Sequence, residues 1–435
     1  MSLSLPPSGL AVRAIIGLTL WSLAAPQTFA SKKKNPPPET PHVRATLPPS
    51  FSIPAEPLGF AAPGEFYLGM RNSLVSLDFL DEDHLLFTFR VPALIHREAA
   101  KPESQDERRI RAMVLRIATG AVEAETIWTV HDHTRYLYML DHGQFLIRDR
   151  TSLLLGDSTL QLKPFLRFPG PVEWVELDPS RQYFVTGSTE PRTRSSVEGE
   201  VPSPPTAAAR IGVDHQPESD GSDLIVRILR RTDGKVMLVS HVRSAIHLPI
   251  NGEGYLEPLR GLGSAWQLNF NHFTGGSTLL GKVDSVCSPQ LDFISATEFL
   301  IGTCNSSGDP RVVAMSTSGK RLWEDHAAGT AVWPLLVSGP DGSRIARETL
   351  QASHTVNASN PLDSDDIKGQ DVQILDAASG KLVLRAAASP ILDAGGNVAI
   401  SPTAQRVAVL MEGAIQVFDL PAPPAIPDAN VRADR

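Results

Sequence analysis

The sequence predicts an all-β protein: a β-propeller of seven four-stranded blades, closed into a ring by an N-terminal strand. Three observations carry this reading. Apolar residues do not recur at the three-four spacing of a capped helix over any length, so long helices are excluded. Short apolar and β-branched runs dominate instead, and 36 prolines with 32 glycines supply the turns between them. These runs form a unit that returns at roughly 40 residues, the period of a propeller blade.

Each unit joins two hairpins of different kinds. The first is an apolar strand, a tight polar turn and a second apolar strand. VSLDFLDEDHLLFTFR from Val75, VEWVELDPSRQYFVTG from Val172, QLDFISATEFLIGTC from Gln290 and NVAISPTAQRVAVL from Asn397 share this form. Asp, Ser and Pro fill these turns because they pre-set turn dihedrals or bond back to the local backbone. The second hairpin turns through glycine, as in IRAMVLRIATGAVEAETIW from Ile110, LIVRILRRTDGKVMLVS from Leu224, RVVAMSTSGKRLW from Arg311 and DVQILDAASGKLVLRA from Asp371. Gly120, Gly234, Gly319 and Gly380 stand where such a turn needs positive φ.

First hairpin plus second hairpin makes one antiparallel blade. Blades are expected at 73–130, 134–169, 171–243, 247–285, 288–327 and 331–389. The last, 396–420, has only three strands: NVAIS, RVAVL and AIQVFDL. An N-terminal segment, Phe51–Ile53 or Phe66–Leu68, is expected to supply the fourth and so remove a free sheet edge. Blades 2 and 4 have the faintest patterns, which leaves a count of six or eight open at this point.

Outside the blades, residues 1–30 have the three-part shape of a secretory signal peptide. Arg13 is their one charge, an apolar run of about twelve residues follows from Ala14 to Ala25, and Thr28-Phe29-Ala30 offers a cleavage site. The run is too short to span a bilayer, which needs roughly 20 residues. Residues 31–50, SKKKNPPPETPHVRATLPPS, read as a disordered Pro/Lys-rich lead-in. The propeller domain occupies 51–420, with polar insertions at 96–109, 189–223 and 352–370 read as mobile surface loops. Residues 421–435 read as a disordered tail. Removing the segment that carries Arg13 changes the formal net charge from −8 to −9, which argues against a nucleic-acid partner.

VVAMSTSGKRLW, VQILDAASGKLVL and VRILRRTDGKVML resemble the repeat of quinoprotein-like and WD40-like bacterial propellers: a strand, Asp or Ser, two residues, Ser, Thr or Asp, then Gly-Lys. VAISPTAQRVAVL and VEWVELDPSRQYFVTG are similar to the first hairpin of the same repeats. The resemblance spans most of 73–420 and implies the architecture, in the setting of a secreted bacterial propeller. The chain departs from the quinone-dependent dehydrogenases of that superfamily. Their Gly-Lys-x-x-Trp turn occurs cleanly once, at Gly319–Trp323, and the adjacent cysteine pair that covers their cofactor has no counterpart. No cofactor is therefore expected.

Few residues invite a chemical reading. His131 and His133 in HDHTRY, with Asp132, have the types to hold a metal, yet no distant ligand can be named, and a polar inter-blade loop is preferred. Asp292 and Asp376 offer acids for a central channel; the preferred reading is that each binds the backbone of its own turn. Trp128, Trp174, Trp266, Trp323 and Trp333 have the surface to stack a ligand, with packing between blades preferred. Trp266 and Trp333 are the ones to watch, because their blades are the less regular. Asn305-Ser306-Ser307 and Asn357-Ala358-Ser359 match a glycosylation triplet and are read as chance. No catalytic, cofactor-binding or metal residue is assigned.

Cys287 and Cys304 are the only cysteines. They flank the first hairpin of blade 5, and their midpoint falls at its turn, so antiparallel pairing sets them nearly opposite. Opposite Cα atoms lie roughly 4.5–5.5 Å apart, within disulfide reach. The spacing is not Cys-x-x-Cys, and two thiolates lack the further ligands a metal needs. In an exported chain the pair reads as a structural disulfide.

A clear scaffold with no assembled chemical site points to a non-catalytic binding propeller of the cell envelope, periplasmic or secreted and monomeric. Its partner is expected to be a protein, peptide or glycan docked on loops around the channel. The alternative is a propeller enzyme of hydrolase, lyase or lactonase type, whose residues converge from several blades at the channel mouth and so escape any reading of spacing.

Overall fold

The computed structural model describes residues 45–62, 74–91, 107–131, 135–191, 222–242, 247–304, 310–326, 330–356, 362–392 and 396–422. The signal segment 1–30, the tail from 423 onward, the alternative closing strand 66–68 and most of the insertions at 96–109 and 189–223 lie outside them.

The described strands form seven antiparallel sheets in chain order. Blade 1 is Ser76–Phe79, His84–Arg90, Arg108–Arg116 and Val122–Val130. Blade 2 is Leu137–Met139, Phe145–Asp149, Ser152–Gly156 and Lys163–Arg167. Blade 3 is Val172–Leu177, Tyr183–Pro191, Ser222–Arg230 and Val236–Val242. Blade 4 is Gly254–Arg260, Ala265–His272 and Ser277–Asp284. Blade 5 is Gln290–Phe293, Glu298–Cys304, Pro310–Ser316 and Arg321–His326. Blade 6 is Ala331–Ser338, Arg344–Ala352, Ile367–Asp376 and Leu382–Ala388. Blade 7 is Val398–Ile400, Arg406–Met411 and Ala414–Asp419, completed on its outer edge by Phe51–Pro54.

The closing strand is thus the first of the two expected segments. Phe51 pairs with Val417 and Pro54 with Ala414, and buried Ile53 and Ala55 join the blade 7–blade 1 core. Ala45 adds a bridge to Ala386 on the outer strand of blade 6, so this segment covers two edges.

The core is divided among the interfaces. One apolar cluster lies between blades 1 and 2, and others lie between 2 and 3, 3 and 4, 4 and 5, 5 and 6, and 6 and 7. A further cluster joins blade 7 back to blade 1, which closes the ring by packing as well as by the strand. Each blade is a sheet with two apolar faces, and only a ring buries both faces of every blade. The outer strands carry the exposed residues, as in Val122–Val130 and Val236–Val242.

The turns follow the sequence reading. Gly120, Gly234, Gly319 and Gly380 have φ of 69°, 65°, 83° and 67°. At Gly319 a Cβ would also stand 2.5 Å from the Leu280 carbonyl oxygen, so glycine is needed twice over.

Two details depart from the regular pattern. The blade 4 ladder holds three strands, and a single bridge, Ile250 to Tyr255, stands in the place of its inner strand. Leu256 N–H donates to the Pro249 carbonyl, but Pro249 has no N–H to return the bond, and Pro258 one pair further on lacks a donor too. The strands also reach into the segments read as insertions. Tyr183–Pro191 and Ser222–Arg230 enter 189–223, where Arg227 crosses to pair with Glu190. Ile367–Asp376 enters 352–370, after a short 3-10 turn at Ser364–Asp366 capped by Asp363. Polar composition concealed strands whose cross-strand partners are charged.

Candidate functional site in the central channel

In each blade the first strand ends where one backbone N–H closes the first hairpin. These donors are Leu80, Leu140, Asp178, Asn251, Ile294, Gly339 and Ser401. They define one height around the ring. One and three residues earlier the side chains are apolar in every blade except at Ser338. Leu77 and Phe79, for example, pack back toward blade 7. Two residues earlier the row reads Asp78, Tyr138, Glu176, Pro249, Asp292, Val337, Ala399. Carboxylates occupy blades 1, 3 and 5 of a row that is otherwise uncharged.

Glu176 and Asp292 meet on His247, which lies in the stretch where blade 4 has no ladder. His247 Nδ1 is 2.7 Å from Glu176 Oε1, and Nε2 is 3.2 Å from Asp292 Oδ1 and also reaches the Leu291 carbonyl. The Leu248 N–H donates to Glu176 Oε2 at 3.0 Å. The inner segment of blade 4 therefore bonds sideways to blades 3 and 5 instead of along its own sheet. Both ring nitrogens face acceptors only, an arrangement that favours the protonated ring. Burial opposes that charge, but the Asp292 and Glu176 carboxylates outweigh it and hold the pKa well above the usual histidine range. The side chain keeps 40 % of its surface exposed.

Asp78 lies deeper in the wall. Ser76 Oγ donates to its Oδ2 at 2.6 Å, yet burial pushes its pKa up to about 6, with Arg135 and Arg181 pulling the other way. Behind it, buried Tyr136 Oη sits 2.6 Å from Thr88 Oγ1. Between blades 6 and 7, Glu348 is 2 % exposed, and burial pushes its carboxyl up to about 8. Gln370 Nε2 donates to it at 2.8 Å, while Gln370 Oε1 accepts from Leu392 N and Asn397 Nδ2.

Of the residues singled out in the sequence, Asp292 belongs to the channel cluster and does not bind the backbone of its turn; that expectation is overturned. Asp376 does bind its turn, accepting from Ser379 N at 3.0 Å, and also pairs with buried Arg344 at 2.9 Å. His131 N and Nδ1 both meet Asp149 Oδ1, at 2.8 and 3.0 Å, which makes it an inter-blade tie. Asp132, His133 and both glycosylation triplets lie outside the described residues. Among the described residues no group of three His, Cys, Asp or Glu is placed to hold a metal ion. Trp128, Trp266 and Trp323 donate Nε1 to the carbonyls of Leu160, Ser285 and Ala377 and pack between blades. Trp174 packs in the blade 3–blade 4 interface. The Trp333 side chain lies outside the described residues.

Cys287 and Cys304 are disulfide-bonded with Cα atoms 5.9 Å apart. A cleft of about 300 Å³ opens beside them, lined by Asp284, Ser285, Cys304, Arg311 and His326. Arg311 is already committed there, to Glu324 at 3.1 Å and to the Asp284 carbonyl at 3.2 Å.

Sequence reasoning missed Asp78, Glu176 and His247. A signal for the first two was present: aligning SLDFLDED, WVELDPS and QLDFISA on their turns places an acid at the same offset. Nothing in HLPI marks His247 until the ring sets it between its neighbours.

Among the described residues no helix is long and apolar enough to cross a membrane. No family model matches the chain, and no curated protein matches it. Solved structures match as propellers. An acylaminoacyl peptidase of Pyrococcus horikoshii is 9 % identical over 81 % of this chain and 52 % of its own, at a TM-score of 0.46. The β-propeller domain of the Trilobed protease from Pyrococcus furiosus is 9 % identical over 80 % of this chain and 93 % of its own, at 0.42. The Cps50 (Swd1) β-propeller domain of Myceliophteria thermophila is 12 % identical over 76 % and 98 %, at 0.39. This chain spans about half the length of the Pyrococcus horikoshii peptidases it matches. At these identities the likeness extends to the fold alone, and the seven-blade propeller stands on the sheet topology above.

Proposed function

We propose that this protein is a non-catalytic binding propeller of the cell envelope, of the WD40-like or quinoprotein-like bacterial kind, secreted or periplasmic and monomeric. Its channel wall receives a protein, peptide or glycan partner. The observation that carries this reading is the setting of His247: one ring nitrogen meets Glu176 and the other Asp292 and the Leu291 carbonyl, so both are engaged by the wall itself and neither is left open for proton transfer to a substrate. The disulfide accords with an exported chain.

Capture of partners from an envelope fraction, with wild-type protein and His247→Ala as paired baits, tests this. A partner held by the first and lost by the second is the expected result. A hydrolytic or lyase activity of the purified protein that disappears with a channel substitution would overturn it. The enzymatic reading would place Asp78 in the catalytic role: it stands on the inner strand of blade 1, bonded to Ser76, where burial raises its carboxyl pKa to about 6. Asp78→Asn is the variant that would abolish such an activity.

A further inference from the structure

The Cys287–Cys304 bond lies outside the ladder of its own hairpin. That ladder runs from Gln290 opposite Gly302 to Phe293 opposite Phe299. Cys287 stands before it, in the connection that leads from blade 4 into blade 5, and Cys304 ends the second strand of blade 5. The apolar cluster between these blades contains neither cysteine.

Hydrogen bonds hold the same connection in place. Ser285 N–H donates to the Ser264 carbonyl at 2.8 Å, and Val286 N–H donates to the Cys304 carbonyl at 3.0 Å. Cys304 N–H donates to Ser285 Oγ at 3.2 Å, and Trp266 Nε1 donates to the Ser285 carbonyl at 3.0 Å. These contacts keep the two cysteines side by side when their sulfurs part, so the bond can open in the folded protein.

The two cysteines differ in access. Cys287 is exposed, as is Val286 beside it at 56 %. Cys304 is half-buried and lines the cleft of about 300 Å³ with Ser285, Val286, Arg311 and His326. An incoming thiolate meets Cys287 first, and the cleft leaves room for the rest of its molecule.

They differ in chemistry too. Cys287 N–H donates to Cys304 Sγ at 3.1 Å, and such a donor stabilises a thiolate on Cys304. Arg311 sets a guanidinium in the same cleft wall, fixed by Thr303 Oγ1 at 3.1 Å and the Asp284 carbonyl at 3.2 Å. Cys287 Sγ has only the neutral Ser285 hydroxyl, at 3.3 Å.

We propose that this pair is a thiol-exchange site for a low-molecular-weight thiol, with the adduct carried on Cys287. The thiol loses its proton to solvent, and its thiolate attacks Cys287 Sγ. A new S–S bond forms there, the Cys287–Cys304 bond breaks, and its electron pair leaves on Cys304 as a thiolate. A second thiolate that attacks the adduct gives the oxidised thiol dimer and two free cysteines, so two electrons pass from two thiols to the disulfide. The connection between blades 4 and 5, one wall of the cleft, thereby responds to the thiols around the protein.

Reduced glutathione added to the full, disulfide-bonded protein tests this. Early samples are trapped with N-ethylmaleimide, before a second glutathione removes the adduct, and fragment masses locate each group. A glutathionyl group on Cys287 and a maleimide on Cys304 are expected. The rate should double with doubled glutathione and stay unchanged in urea below the unfolding transition. An adduct confined to Cys304 overturns the proposal. So does native protein that stays unmodified while urea-unfolded protein reacts. A rate that rises with urea in step with the unfolded fraction also overturns it, because the bond then opens only by unfolding.

Discussion

His247 Nδ1 lies 2.7 Å from Glu176 Oε1, a contact across 71 residues of sequence and one blade interface. Its other ring nitrogen engages blade 5. Blade 4 thus holds its inner edge by an ionic cluster where a backbone ladder would otherwise run, and the same cluster places a cation on the channel wall.

Replacing His247 by Ala should therefore cost stability as well as binding. It leaves Glu176 and Asp292 facing each other's charge. The expected loss is about 1–2 kcal/mol, below that of a fully buried pair because the ring is partly exposed. The pH dependence has a definite sign. A raised histidine pKa stabilises fully below the unfolded value of about 6.5, and that contribution fades as pH rises from there through the higher folded value. Denaturant unfolding from pH 6 upward should show the decline in wild type and its absence in His247→Gln. Parallel curves for the two proteins would refute the ionic role.

Glu348 should behave as a neutral buried acid. Its pKa is raised to about 8, so the folded state retains a proton that the unfolded chain releases near 4.5. Stability is then lost as pH rises between those two values and levels off above about 8. Relative to Glu348→Gln, wild type should lose about 1.4 kcal/mol per pH unit within that window. A stability difference that does not change between pH 5 and 8 would show the carboxyl to be ionised throughout.

The Cys287–Cys304 disulfide closes a loop with a sequence separation of 17. Loss of such a closure costs about 3 kcal/mol in the chain-entropy description. Cys287→Ser/Cys304→Ser should unfold earlier in urea than wild type, and dithiothreitol should lower the wild-type midpoint but leave the variant unmoved. The blade 4–blade 5 apolar cluster does not depend on the bridge, so the variant should still fold.

Ring closure should depend on Ile53. It is 3 % exposed, and its side chain lies 3.4 Å from where a Cβ on Gly120 would sit. Ile53→Asp places a charge in the blade 7–blade 1 core and should cost more than about 3 kcal/mol. Ser52→Asp, on the exposed face of the same strand, should change stability by less than about 0.5 kcal/mol. Equal effects from both would mean that the strand does not close the ring.

The architecture was legible because its signals are short-range. Turn glycines, polar first-hairpin turns and alternating apolar strands each fit within about 15 residues, and their recurrence alone implies a propeller. The cysteine pair was legible for the same reason: one hairpin contains both. Within each blade the turn even fixes the height at which Asp78, Glu176 and Asp292 stand.

Which of those acids finds a partner was decided only by the ring. Closure sets residues of equal height side by side from strands tens of residues apart, and no local pattern encodes that neighbourhood. His247 is the sharpest case. The sequence supplied Pro249 and Pro258, whose missing N–H groups break the blade 4 ladder. The tertiary structure then determined that two carboxylates from the flanking blades would fill the gap, because an unpaired backbone and a nearby histidine left them donors to accept.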